Sequence, residues 1–178
     1  MTISANRRKV MYGGVAALAA IAGAGVAWMR QMGQDAGAVA SDVTSALWAA
    51  EFETPAGESL PIIGFQGRPL VINFWATWCT PCIEEMPLID AFFLENKEKG
   101  WQVLGLAIDQ PSRVRQFLSQ FPVSYKIGLA GLNGTELGKT LGNELGGLPF
   151  TVVLDAQGRL IQRKLGKLTP DDIKKWAV

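Results

Sequence analysis

The chain has two cysteines, and both lie in the segment 78–82, Trp-Cys-Thr-Pro-Cys. Residues three apart on a helix share one face, so the sulfurs of Cys79 and Cys82 can meet as a disulfide that closes a very small ring. An apolar run precedes the segment and a helix-like stretch follows it. Unpaired amide groups and the positive dipole end of a helix N-terminus favour a thiolate there. We therefore predict that Cys79 is the exposed nucleophile and Cys82 the more buried resolving thiol.

Two other uses of the cysteine pair stay open. A structural disulfide over so short a loop would add little stability through chain entropy. A metal site in a binding or chaperone module would need further ligands, and the chain contains no histidine to supply them. The lack of histidine also excludes Ser-His, Cys-His and His-metal mechanisms. Two cysteines are too few for a disulfide framework in 178 residues, so redox chemistry is favoured and no metal is expected.

A second candidate feature is the segment 146–150, Gly-Gly-Leu-Pro-Phe, in which Pro149 directly precedes an apolar run. A glycine pair followed by a proline at the start of a strand makes a cis peptide bond possible. Residue type alone favours the ordinary trans bond at Pro149.

The elements that must position these residues follow from the apolar pattern. Pro69–Ala76 is almost continuously apolar, as a buried central strand would be, and a helix is predicted from Thr80 to about Lys97 with a kink at Pro87. The other predicted elements are a hairpin of Leu47–Phe52 and Ser59–Ile63, a strand Trp101–Ile108, a helix Pro111–Gln120, a short strand Val123–Ile127, a short helix Gly134–Leu141, a hairpin of Phe150–Asp155 and Arg159–Leu165, and a last helix capped by Thr169 and running to Trp176. This order predicts an α/β fold with a mixed sheet covered on both faces.

The N-terminal part of the chain has a different composition. Residues 1–9 carry three basic side chains and no acidic one, and residues 10–29 carry no charge. A helix of that length, at about 1.5 Å per residue, crosses a hydrocarbon core of roughly 30 Å. We predict a basic cytoplasmic tip at 1–9, a transmembrane anchor or signal segment at 10–29, a linker at 30–45 and the folded domain at 46–178.

Export signals in the same region leave the fate of the anchor open. The triplet 38–40, Ala-Val-Ala, has the small-x-small pattern of a signal cleavage site, and Arg7-Arg8 resembles the start of a twin-arginine signal. The domain is expected outside the cytoplasmic membrane either way.

The formal charge of the whole chain is +1, which offers no basic surplus to favour nucleic acid as a partner.

The segment 74–82 (FWATWCTPC), followed about 65 residues later by 147–151 (GLPFT), resembles the thioredoxin superfamily. More narrowly, residues 47–178 are similar to the membrane-anchored, extracytoplasmic TlpA/ResA/CcmG-like thiol-disulfide oxidoreductases. The resemblance implies a thioredoxin-like three-layer α/β sandwich with an N-terminal β-hairpin extension. It also implies that Pro149 is cis and faces the cysteines, and that the Leu148 backbone offers strand-like hydrogen bonds to a substrate. Trp78 and Pro81 are supporting residues of the cysteine motif.

Two positions refine this resemblance. Thioredoxins carry a buried aspartate in the central strand, and this chain has Asn73 there, which cannot titrate. The TlpA/ResA-like branch has a glutamate shortly after the second cysteine and before a proline, and Glu85 in the segment 84–87 (EEMP) matches it. One helical turn past Cys82, Glu85 is expected to shuttle a proton near the thiols. Glu84 is expected to lie on a solvated helix face.

The resemblance implies thiol–disulfide exchange with the redox-active disulfide Cys79–Cys82 and no other cofactor. The favoured direction is reduction of disulfides in extracytoplasmic clients, of the kind matured in cytochrome c biogenesis or copper-site assembly. A membrane thiol-reducing carrier would donate the electrons, and the protein would lie in the inner membrane, single-pass, with its domain in the periplasm. A disulfide oxidant or isomerase stays open, because Thr80-Pro81 does not determine the reduction potential.

Overall fold

The computed structural model describes residues 44–176. The predicted tip, the segment 10–29 and nearly all of the predicted linker lie outside these residues. Within 44–176, no helix combines the length and the apolar character that crossing a membrane requires.

Within residues 44–176, seven strands form one mixed sheet in the order β2-β1-β5-β4-β3-β6-β7. The strands are β1 (Glu51–Glu53), β2 (Ser59–Pro61), β3 (Leu70–Trp75), β4 (Gln102–Ala107), β5 (Lys126–Leu129), β6 (Phe150–Leu154) and β7 (Leu160–Leu165). The three central strands β3, β4 and β5 are parallel, and the other pairings are antiparallel. The mixed sheet and the N-terminal hairpin are as predicted.

Helices cover both faces of this sheet, which gives the predicted three layers. The helices are α1 (44–48), α2 (Thr80–Asn96), α3 (Pro111–Gln120), α4 (Gly131–Thr140) and α5 (Pro170–Lys174), with 3-10 turns at Ile62–Phe65 and Lys97–Lys99. Side chains from α2, α3 and α5 pack on one face, which we call the α2 face. Side chains from α1, the first 3-10 turn and α4 pack on the other, the α4 face.

Strand β3 lies at the centre of both layers. Successive side chains of a strand point to opposite faces, so Val71 and Trp75 join the α2 face while Ile72 and Phe74 join the α4 face. All six residues of β3 are buried. This two-sided burial explains why the segment reads as an unbroken apolar run.

Two predicted strand boundaries differ from the structure for physical reasons. Residues 44–48 are helical where a strand was expected from Leu47, because the fully buried Leu47 signals burial and not strand geometry. Strand β5 begins at Lys126 and not at Val123, since the backbone N–H of Ser124 donates to an Asp90 carboxylate oxygen at 2.6 Å.

Two helices also differ in extent from the predictions. Helix α4 starts at Gly131, three residues before the predicted Gly134, and α5 ends at Lys174, short of Trp176. Helix α2 continues through Pro87, and the kink expected there stays a prediction. The predicted cap of α5 is confirmed, because the side chains of Thr169 and Asp172 form a reciprocal capping box.

Candidate active site

Cys79 and Cys82 are joined as a disulfide at the N-terminus of α2. Their Sγ atoms are 2.01 Å apart and their Cα atoms 5.3 Å apart. Cys79 is the residue that precedes the first turn of the helix, and its carbonyl accepts from the amide groups of Cys82 and Ile83 at 3.0 and 3.2 Å. Pro81 fits here because the first turn has no intrahelical partner for an amide hydrogen. The loop after β3 thus delivers both sulfurs to the positive end of α2.

The two cysteines differ in exposure in the order predicted, but both are buried. Cys79 is 5% exposed and Cys82 is fully buried. The expectation of an exposed Cys79 is therefore wrong for this disulfide form, because its sulfur is bonded to that of a fully buried residue. The exposed side chains of the motif are instead Trp78, Thr80 and Pro81, and Trp78 is 63% exposed.

A carboxylate that the sequence analysis missed holds the loop before Cys79. Asp109 follows β4, and its Oδ2 accepts from the backbone N–H and the hydroxyl of Thr77 at 3.0 and 2.5 Å. Burial opposes ionisation of Asp109, but hydrogen bonds from Thr77 and Gln110 outweigh it and lower the pKa of the carboxyl. The sequence offered one signal for Asp109, its position directly after a strand. Because β3 and β4 are parallel neighbours, their carboxyl ends meet at one edge of the sheet, which brings Asp109 close to the loop that follows β3.

The Leu148–Pro149 peptide bond is cis, as the resemblance implied and residue type alone did not. Phe150 pairs with Phe74 in the antiparallel β3–β6 ladder, so the same register extended by one residue places Pro149 opposite Trp75. The loop to Cys79 begins directly after Trp75. Leu148 packs against the cluster of buried residues that contains both cysteines.

Asn143 holds the approach to this proline and was not predicted. Its Nδ2 donates to the Gly147 carbonyl at 2.8 Å, and its Oδ1 accepts from the Gly147 N–H at 3.1 Å. An asparagine after a helix that ends near a glycine pair was the only available signal. The paired amide fixes the backbone just before Leu148.

Glu85 lies on α2, one helical turn past Cys82, and is buried, with only 1% of its surface exposed. Its Oε1 accepts from Asn73 Nδ2 at 2.7 Å and its Oε2 from the Leu168 N–H at 2.6 Å. Burial raises the pKa of Glu85 from 4.5 to about 7, against the opposing effects of these two hydrogen bonds and of Lys167 and Lys164. A carboxyl with such a pKa can take up or release a proton near neutral pH.

The structure brings Asn73 and Thr151 into contact with this carboxyl. Asn73 is fully buried, and its Nδ2 also donates to Thr151 Oγ1 at 3.0 Å. Sequence reasoning treated Asn73 only as the loss of a titratable group and did not identify Thr151. By contrast, Glu84 is exposed and pairs with Lys167, as expected of a solvated helix face.

Potential metal ligands are not clustered near the disulfide. In the part of the chain that the structure describes, no three His, Cys, Asp or Glu side chains lie together as a metal site would require.

Comparison with known proteins places these features in a family. Residues 36–176 match the family model described as Redoxin. The thiol-disulfide oxidoreductase ResA of Bacillus thuringiensis subsp. konkukian (strain 97-27) is 30% identical over 121 residues, which cover 67% of this chain and 68% of that protein.

Solved structures agree with this assignment. The thioredoxin-related protein from Neisseria meningitidis serogroup B aligns with a TM-score of 0.63 and 30% identity, covering 71% of this chain and 95% of that one. StoA from Bacillus subtilis shares the fold, with a TM-score of 0.59 and 22% identity over 72% of this chain and 96% of that one. The chain therefore belongs to the Redoxin family and is a TlpA/ResA/CcmG-like thiol-disulfide oxidoreductase of the thioredoxin superfamily.

Proposed function

We propose that this oxidoreductase reduces disulfides in extracytoplasmic partner proteins, with Cys79 as the attacking thiol and Cys82 as the resolving thiol. The observation that carries the proposal is the Cys79–Cys82 disulfide at the N-terminus of α2, beside the loop of the cis proline Pro149. Burial separates the two roles. Cys79 is 5% exposed and Cys82 is fully enclosed, so a client sulfur can approach only Cys79.

The reaction starts from the dithiol form. The Cys79 thiolate attacks one sulfur of the client disulfide, which breaks that bond and leaves the other client sulfur as a thiolate that takes up a proton. The Cys82 thiolate then attacks Cys79 Sγ in the mixed disulfide and releases the second client thiol. Two electrons and two protons pass from the cysteine pair to the client, and the Cys79–Cys82 disulfide is left.

The backbone of Leu148 supplies the docking contact in this proposal. Within residues 44–176 its N–H and C=O make no hydrogen bond, while the carbonyls on either side, of Gly147 and Pro149, are both engaged. A free donor and a free acceptor on one residue suit an extended segment that adds in the manner of a β-strand. The exposed Trp78 lies next to Cys79 in the chain and adds apolar contact area for such a segment.

Glu85 serves as the proton reservoir. It lies one helical turn past Cys82 on α2, and its pKa of about 7 lets both protonation states exist under ordinary conditions. We propose that Glu85 accepts a proton when the thiols ionise and returns one when they are regenerated.

The proposal for location and partners rests on the likeness to ResA and on the uncharged segment 10–29. We propose that residues 10–29 anchor the protein in the inner membrane, with residues 1–9 in the cytoplasm and the domain in the periplasm. A membrane thiol-reducing carrier would regenerate the dithiol. The clients would be proteins of the cytochrome c maturation or copper-site assembly type.

A pair of serine variants tests the assignment of the cysteines. Cys79→Ser should reduce insulin disulfide reduction to the background rate, because the attacking thiolate is gone. Cys82→Ser should instead accumulate mixed disulfides, because Cys79 still attacks and nothing resolves the product. Mass spectrometry of trapped complexes identifies the clients. Activity retained in Cys79→Ser, or stoichiometric metal with no disulfide turnover in the wild type, would contradict the proposal.

The reduction potential tests the direction. A reductant of this kind should have a potential near the thioredoxin value of about −270 mV. A value near that of DsbA, about −120 mV, would favour the disulfide oxidant on the same scaffold.

A further inference from the structure

The amide of Asn73 is bonded asymmetrically in the middle of the buried sheet. Asn73 lies opposite Gly105 on β4 and Thr151 on β6. Both hydrogens of its Nδ2 are used, one toward Glu85 Oε1 at 2.7 Å and one toward Thr151 Oγ1 at 3.0 Å. Its Oδ1 is buried and has no partner among residues 44–176. Both N–H groups of the Asn73 amide are therefore hydrogen-bonded, whereas neither lone pair of its oxygen is, among residues 44–176.

This arrangement fits only the ionised form of Glu85. A carboxylate accepts at both oxygens, and here both face donors, the Asn73 amide and the Leu168 N–H. A protonated carboxyl must instead donate from one oxygen. The Leu168 N–H and the Asn73 Nδ2 are both donors, so in this orientation of the amide neither of these two partners within residues 44–176 can accept the added proton.

A half-turn of the Asn73 amide removes the conflict. The oxygen and nitrogen of an asparagine amide occupy nearly equivalent places, so rotation about χ2 exchanges them with little change in shape. Oδ1 would then stand where Nδ2 stands now, within reach of Glu85 Oε1 and Thr151 Oγ1. Its two lone pairs would accept from the acid O–H and from the threonine hydroxyl.

We propose that Asn73 is a positioning residue whose side-chain amide turns with the protonation of Glu85, donating to the carboxylate and accepting from the carboxylic acid. The inference rests on the proposed function, in which Glu85 exchanges protons with the thiols. Because one side chain satisfies both forms, Glu85 keeps its position through the redox cycle. Thr151 is the second contact of the amide in both orientations.

Other charged and titratable groups also act on Glu85. Lys164 on β7 and Lys167 before α5 both favour its ionised form. Tyr125, the residue before β5, also interacts with Glu85, and burial raises the pKa of its own hydroxyl. The cysteines on α2 form a disulfide and do not titrate in this form.

Nuclear magnetic resonance of the oxidised full-length wild type tests the inference without any variant that might fail to fold. The Glu85 carboxyl carbon and the Asn73 side-chain amide should titrate with one midpoint. In Glu85→Gln the Asn73 amide signal should be independent of pH and resemble its low-pH state, because a glutamine amide donates as the acid does. Glu84→Gln is the matched control and should leave both titrations unchanged. An Asn73 signal that stays constant through the Glu85 titration overturns the inference.

A second measurement uses Asn73→Leu, which keeps the approximate shape and removes the amide. Loss of a donor to a carboxylate should raise the Glu85 midpoint by about one pKa unit, since a hydrogen bond to a charged group is stronger than one to its neutral form. An unchanged midpoint in a folded variant overturns the inference. Neither measurement requires turnover, so failure of the proposed function would show separately in the Cys79→Ser assay.

Discussion

The two faces of the central sheet are both buried, yet they contain different chemistry. On the α4 face, β3 and its neighbours contribute hydrocarbon side chains such as those of Ile72, Phe74 and Leu104. On the α2 face lie the disulfide, Glu85 and the buried side-chain polar atoms that find no partner within residues 44–176. Those atoms are Asn73 Oδ1, Trp75 Nε1, the Tyr125 hydroxyl and Trp176 Nε1.

This difference shows how one small domain can combine stability with a reactive centre. Buried polar groups without partners, and a carboxyl that must ionise out of water, both lower stability. Close-packed apolar side chains restore it. The apolar packing on the α4 face can therefore offset the stability lost on the α2 face, because the same strands contribute to both faces. Variants on each side should separate the two contributions.

The largest effect on stability should come from the α4 face. Phe74 is fully buried, and its ring centroid lies 5.7 Å from that of Phe150. Phe74→Ala should lower the free energy of unfolding by about 3–5 kcal/mol through lost burial and the cavity left behind. Urea unfolding measures the loss. Disulfide reduction per folded molecule should stay near the wild-type value.

Phe74→Leu is the matched control for this variant. It keeps most of the apolar volume and should cost clearly less than the alanine substitution. If activity per folded molecule fell in step with stability in both variants, the functional separation of the two faces would be wrong.

The next effect concerns the α2 face and depends on pH. The pKa of Glu85 is raised from 4.5 to about 7, so folding favours its protonated form. The corresponding stability is fully present below pH 4.5 and is lost as the pH rises through 7, a difference of about 3 kcal/mol. The free energy of unfolding of Glu85→Gln, relative to that of the wild type, should therefore rise by up to about 3 kcal/mol between pH 4.5 and pH 8. Its turnover should fall. Urea unfolding at both pH values, together with insulin reduction, measures both changes.

Glu84→Gln again provides the control, one residue away on the same helix. Glu84 is exposed and its ion pair with Lys167 is half-exposed, so its substitution should change stability by less than about 1 kcal/mol at any pH. Equal pH dependence in the two variants would show that burial of Glu85 is not the cause.

The smallest effect tests Asn143, a polar residue on the α4 side that holds the loop before Leu148. Asn143 Nδ2 lies near Gly138, in the region of Phe74, and its amide makes both hydrogen bonds to Gly147. Asn143→Ala removes both bonds and should cost about 1–2 kcal/mol. Turnover should also fall, because Leu148 loses its fixed approach.

Asn143→Asp keeps the acceptor for the Gly147 N–H and loses the donor. In urea unfolding it should lower the free energy of unfolding by more than Asn143→Ala does, because a carboxylate oxygen then faces the Gly147 carbonyl oxygen at a buried position. If Asn143→Ala lowered stability but left turnover unchanged, Asn143 would only stabilise the α4 side.

Much of the fold was predictable because local patterns and tertiary packing agree. The run Pro69–Ala76 indicated a strand buried on both sides, and helix α3 matches its predicted limits at Pro111 and Gln120. Predictions failed where an apolar residue is buried without being in a strand, as at Leu47. They also failed where a side chain far along the chain takes over a backbone group, as Asp90 does with Ser124.

The sequence by itself determined the disulfide pair, since three-residue spacing at a strand–helix junction brings Cys79 and Cys82 together. It also placed Glu85 one turn beyond them. Tertiary structure alone decided the burial of Cys79 and the contacts of Asn73 with Glu85 and Thr151, 12 and 78 residues away in the chain. The physical reason is that helical spacing acts within a few residues. Desolvation and hydrogen bonding depend on which distant strands and helices the fold packs against a group.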